Sequence, residues 1–148
     1  MKTTPGPGLA VSVWLRLLKA HGLMLRRVRR TIPEHLTLPQ FDVLAQLYRR
    51  PPGMTPGELT RELLVTAGNV TGIVDRLARR RLVERRPVPE DRRAVRVRLT
   101  SRGHRVMEQA IPRHRRDLEL VLAPVPTPDL TRLRDALRCL IRVLDGQA

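Results

Sequence analysis

The sequence predicts a mainly α fold carrying one two-stranded β-hairpin between flanking helices. Six stretches repeat apolar residues at the spacing of a helix buried on one side. One stretch alternates instead, with Val95, Val97 and Leu99 interleaved with Arg96, Arg98 and Thr100, the period of a half-buried strand. Two of the helices are short and lie almost end to end, which is the pattern of a helix-turn-helix.

The elements follow in order. Residues 1–8 read as a loose leader. Val11, Trp14, Leu15, Leu18, Leu25, Val28 and Ile32 mark a first helix that stops at Pro33. Thr37 opens a second, with Gln40 completing a capping box and Phe41, Leu44 and Leu47 on its apolar side. Arg49-Arg50-Pro51-Pro52-Gly53 ends it. Thr55 caps a third helix, Pro56 takes its first position, Glu58 closes the capping box, and Leu59 and Leu63 face inward. Thr66 caps the fourth, in which Val70, Ile73, Val74 and Leu77 form one stripe.

Residues 82–88 pair with the alternating strand through a polar Pro89-Glu90-Asp91-Arg92 turn. Thr100 and Gly103 stand at the start of a fifth helix bearing Met107, Ile111, Leu118 and Leu122, which Pro112 should kink. Thr127-Pro128-Asp129 begins a sixth, with Leu130, Leu133, Leu137, Leu140, Ile141 and Leu144 in a near-heptad stripe ending at Gly146.

Composition narrows the function. The 148 residues carry 29 basic against 14 acidic groups, a formal charge of +15. Only Lys2 and Lys19 are lysines, so the total reflects a preference for Arg more than a functional demand; the distribution says more. Residues 66–103 hold +7, whereas 104–148 hold only +2. A basic block of this kind favours a polyanion through release of counterions from phosphate. Three aromatics leave Leu and Val to build the core, and one Cys excludes a disulfide framework. The longest uncharged run, Thr3 to Leu15, is too short for a membrane span, so a cytoplasmic chain without membrane contact is expected. No cofactor is expected, since GxSxG, P-loop and GxGxxG patterns are absent. The four histidines show no metal spacing, Cys139 has no resolving partner, and Glu90-Asp91 sit in a turn, so no metal site and no enzyme are expected.

The fourth helix carries the functional signal. Opposite its apolar stripe it presents Ala67, Gly68, Asn69, Thr71, Gly72, Asp75, Arg76 and Arg79. Each helical glycine costs about 1 kcal/mol against Ala, which stability alone would select against. Small residues there admit close approach of another surface, and Asn69, Thr71 and Arg76 suit base edges or phosphates.

The stretch LTLPQFDVLAQLYRR, and the stretch from Thr55 to Gly103, resemble the multiple-antibiotic-resistance regulator (MarR) family of bacterial transcription factors. The most specific piece is Asp91-Arg92-Arg93 followed by Val97-Arg98-Leu99-Thr100 and Gly103. The resemblance implies a winged helix-turn-helix over 37–103, an N-terminal dimerisation helix over 9–36 and C-terminal dimerisation helices over 104–148. It implies a homodimer on an inverted-repeat operator in double-stranded DNA, acting as a repressor released by a small aromatic effector. By the same resemblance the helix capped by Thr66 enters the major groove, and Arg93, oriented by Asp91, reaches the minor groove. The expected DNA-binding set is therefore Thr66, Ala67, Gly68, Asn69, Thr71, Gly72, Arg76, Asp91 and Arg93. The alternative is a nucleoid-type protein that coats DNA without sequence preference.

Two departures stand out. The family usually has Gly where this chain has Arg81, so Arg81 either adopts a left-handed conformation or the helix ends differently. A branch that senses oxidised purines resembles the chain at Asp42 and Arg85 but has Arg at the position of Gly72, so its effector is not carried over. His21, Met24 and residues near Phe41 are candidate effector contacts, each with a competing reading as plain core.

Overall fold

The computed structural model describes residues 6–63, 65–88 and 91–146, and of Pro7, Arg92 and Arg93 it describes the backbone alone. The order is α1 (Pro7–Val28), a 3₁₀ turn (Arg29–Thr31), α2 (Leu38–Arg49), α3 (Pro56–Leu63), α4 (Ala67–Arg79), β1 (Val83–Val88), β2 (Asp91–Leu99), α5 (Ser101–Leu122) and α6 (Thr127–Leu144). β1 and β2 form one antiparallel sheet. The mainly helical fold with a two-stranded wing is the one the sequence predicts. The chain divides into two compact units, residues 1–115 and 116–148.

In the first unit the capping chemistry is as expected. Thr37 Oγ1 accepts from the Gln40 N–H at 3.4 Å, and the Gln40 side chain accepts from the Thr37 N–H at 3.1 Å. Thr55 and Glu58 repeat that box at 3.2 and 2.7 Å. The hydrogen bond from the Thr55 backbone, more than any other influence, lowers the Glu58 pKa from its ordinary 4.5. Between the helices, Phe41, Val43, Leu44 and Leu47 of α2 join Leu59 of α3 and the whole α4 stripe in one core. Burying each such side chain contributes about 1.5–3 kcal/mol, so α4 is held by its inner face. Met107 and Ala110 of α5 close the core from below.

The hairpin departs from expectation in its reach. β1 begins at Val83, with Leu82 buried in the preceding turn, and β2 already begins at Asp91. A register shift between Pro87 and Val88 lets Val88 pair with Asp91, which moves Asp91 and Arg92 from the turn into the strand. Val97 and Leu99 are buried, but Val95 is exposed, because the hairpin there has run past the core.

A link unforeseen in the sequence ties the α2–α3 connection to the wing. Met54 and Val97 exchange backbone hydrogen bonds at 2.9 and 2.8 Å. Gly53 beside them has φ +86°, and a Cβ there would stand 2.5 Å from the Val97 oxygen. Only glycine fits such a backbone.

α1 corrects the expectation that no stretch could span a membrane. By length and composition the helix across Gly8–Thr31 is apolar enough to do so, with mean hydropathy 1.3. The expectation counted uncharged runs, and Arg16 and Lys19 interrupt them without lowering the average of the surrounding Leu and Val far. Leu9, Val11, Trp14, Leu15 and Leu18 on it are all exposed.

In the second unit α6 buries none of its residues. Leu122, Leu130, Leu133, Leu137 and Ile141 line an apolar groove of about 590 Å³ there. α5 continues through Pro112 as one helix.

Candidate nucleic-acid interface

α4 and the hairpin hold every expected contact residue. Thr66 caps α4, its Oγ1 accepting from the Asn69 N–H at 3.4 Å. Val70, Ile73, Val74 and Leu77 are buried, which turns Thr66, Ala67, Gly68, Asn69, Thr71 and Arg76 outward into exposed positions. Gly72, on the same side, is half-buried. The cover over it is Arg76, whose Nε donates to the Gly72 carbonyl at 3.1 Å. A Cβ at 72 would lie 3.3 Å from Arg76 Nη2, whereas one at 68 would meet nothing within 4 Å. The two glycines therefore act differently: Gly68 keeps the helix surface low, and Gly72 makes room for Arg76 to lie flat. The Thr71 hydroxyl donates to the Ala67 carbonyl at 3.1 Å, which fixes its orientation.

α4 ends as a Schellman motif. Leu82 N–H bonds to the Leu77 carbonyl at 3.0 Å and Arg81 N–H to the Ala78 carbonyl at 2.8 Å. Arg81 takes the left-handed conformation with φ 58°, the first of the two outcomes open to it. Chain direction into the wing is thus the one glycine would give, reached at some strain. Thr100 Oγ1 donates to the Arg81 carbonyl at 2.7 Å and holds the corner from the other strand.

On the outer face of the wing Glu84 accepts from Arg98 at 2.6 Å and from Arg86 at 3.1 Å. Those two hydrogen bonds, Arg98 first, hold its pKa below the ordinary 4.5. Arg96 donates to the Gly53 carbonyl at 3.0 Å. Asp91 is exposed at the start of β2, while the Arg93 side chain lies outside the described residues. Sequence reasoning missed two ties, one to α4 and one to the residue that caps its end: Arg85 Nη2 to Asp75 Oδ1 at 2.6 Å, and Arg80 Nη1 to the His35 carbonyl at 2.6 Å. Neither had a signal in the sequence, since each joins residues that only the folded chain brings together.

Of the effector candidates, Phe41 is core, 2% exposed, with its ring 5.1 Å from that of His114. Met24 is half-buried and His21 exposed. His114 Nδ1 lies 3.0 Å from Thr31 Oγ1, which is itself within 2.8 Å of the Val28 carbonyl oxygen.

Residues 36–94 match the MarR family. The chain is 33% identical over 142 residues to the transcriptional activatory protein BadR of Rhodopseudomonas palustris, covering 93% of this chain and 79% of that one. It is 30% identical over 104 residues to the regulator PecS of Dickeya dadantii, covering 69% of this chain, and spans 63% of the length of PecS. Among solved structures, a MarR family transcriptional regulator from Silicibacter pomeroyi superposes with a TM-score of 0.77 at 31% identity, covering 96% of this chain and 99% of that one. The PcaV regulator of Streptomyces coelicolor, solved with its natural ligand, gives 0.69 at 28% identity over the full length of both. With its wing, its helix-turn-helix and these relatives in agreement, the chain belongs to the MarR family of transcriptional regulators.

Proposed function

We propose that the protein is a homodimeric, sequence-specific DNA-binding repressor that acts in the cytoplasm and is released by a small aromatic effector. The observation that carries the reading is the division of α4. Its inner stripe is buried, and Thr66, Ala67, Gly68, Asn69, Thr71 and Arg76 are exposed. In the proposed complex these residues, with Gly72 between them, read the major groove. Asp91 and Arg93 at the wing tip address the minor groove, where a narrow A·T-rich stretch attracts a guanidinium.

Dimerisation is supported by surface that each unit leaves uncovered. Exposed Leu and Val recur along α1, and an apolar groove runs along α6; exposed apolar surface of this kind marks interaction sites. Arg134, Arg138 and Arg142 border the α6 groove as a polar rim does. The effector reading is supported by the PcaV regulator, which was solved in complex with its natural ligand.

The test is selection of bound fragments from the protein's own genome, followed by footprinting at physiological salt. A discrete inverted repeat supports the reading. Uniform protection without sequence preference overturns it in favour of a DNA-coating protein.

A further inference from the structure

The hairpin is fastened to the rest of the chain at its base. Thr100 Oγ1 holds the Arg81 carbonyl, and a Cβ on Gly103 would run into the Leu82 carbonyl, so α5 lies directly against that corner. Farther along, the Met54–Val97 bridge and the Arg96 bond to the Gly53 carbonyl fasten β2 to the α2–α3 connection, and neither of these contacts reaches α4.

Another tie does reach α4. Arg85 pairs across the sheet with Val97 and shares its face with Val83 and Leu99. Those three neighbours are buried, and Arg85 is the position where this face leaves the core. From there its Nη2 reaches Asp75 Oδ1 on α4 at 2.6 Å. Of β1's two arginines, Arg86 stays on the hairpin with Glu84, and Arg85 crosses to the reader helix. The contact joins the wing to the reader helix directly, so it bears on the angle between those two elements. As an ion pair between half-exposed groups, the contact adds little to global stability. Its consequence is geometric.

We propose that Asp75 is a positioning residue: through Arg85 it sets the angle between the reader helix and the wing, and so the spacing of the two grooves that one protomer grips. This rests on the DNA-binding reading above and adds a residue to it that contacts no DNA.

The experiment uses the full-length protein and an operator duplex selected by the wild type. Arg85→Asp and Asp75→Arg are compared with the double exchange, which restores the pair and leaves net charge unchanged. Each single variant is expected to bind on the order of tenfold more weakly, and the double exchange to regain most of the loss. Asp75→Arg separates geometry from charge, because added positive charge alone tightens binding to DNA. Tighter binding by that variant, or an exchange that binds as weakly as Arg85→Asp, overturns the proposal. Arg85→Gln adds a check: its salt dependence should match wild type, and a slope lower by about one would make Arg85 a phosphate contact instead.

Hydrogen exchange without DNA gives an independent reading. Amides of β1 and β2 should exchange faster in both single variants and return to the wild-type rate in the exchange. Unchanged rates in the single variants contradict the tie. Should the wild type select no DNA, the functional reading falls, while these rates still decide whether the pair holds the wing.

Discussion

Arg76 lies along its own helix, its Nε donating 3.1 Å to the carbonyl of Gly72 one turn back. The bond holds the guanidinium against the helix surface, which lowers the entropy lost when its remaining donors meet a base or phosphate. Gly72 permits this, since a Cβ there would press on Nη2 at 3.3 Å. Gly72→Ala should therefore separate stability from function. The helix gains up to about 1 kcal/mol from the propensity change. Operator binding weakens by about 1–3 kcal/mol as Arg76 is displaced. Thermal melting and a binding titration on the same preparation check both signs.

Arg81 at φ 58° predicts a stabilising substitution. The left-handed backbone costs a non-glycine residue about 1–2 kcal/mol. Part of that gain is offset by the greater freedom of glycine in the unfolded chain. Arg81→Gly should raise stability by about 0.5–1 kcal/mol in denaturant titration. Arg81→Val should lower it, because a β-branched residue tolerates this backbone least.

Gly53 predicts the opposite sign. At φ +86° with the Val97 carbonyl against its missing side chain, Gly53→Ala strains the backbone and breaks the Met54–Val97 bridge. A loss of about 1–3 kcal/mol is expected, with hydrogen exchange rising first at the Val97 and Met54 amides.

Asp42 sets a pH dependence. Desolvation raises its carboxyl pKa above the ordinary 3.8, so the folded state holds the proton more tightly than the unfolded one. Stability from this group is full below 3.8 and falls as pH rises through the folded pKa. Asp42→Asn should then raise the melting temperature at pH 7 and change it little near pH 3. Equal effects at both values would show that the carboxylate is not penalised by burial.

The parts of the fold legible in the sequence are those written over a few neighbouring residues. Thr37 with Gln40 and Thr55 with Glu58 announce two helix starts, and the Val70–Leu77 stripe announces which face of α4 is buried. Knowing the buried face also gives the outward set from Thr66 to Arg76. What joins residues far apart was not legible. Nothing near Gly53 marks Val97 as its neighbour, 44 positions on, and Asp75 reads as one more polar group until β1 brings Arg85 to it. The hairpin's reach was misjudged for a similar reason: the shift at Pro87 is decided by pairing across the sheet, not by the turn residues themselves.

The central claim is that two reader helices act together on one operator. A two-fold dimer presents two copies of α4 to the same face of a duplex about 34 Å, or one helical turn, apart. The decisive measurement is the affinity of the selected operator before and after insertion of about 5 base pairs at its centre, half a helical turn. The insertion turns one half-site to the opposite face, and binding should be abolished. The variant Leu133→Asp with Ile141→Asp, which places charge on exposed positions of the α6 groove, should abolish it on the uninterrupted site as well. Undiminished binding to the interrupted operator, or tight binding by a monomer to one half-site, would contradict the account.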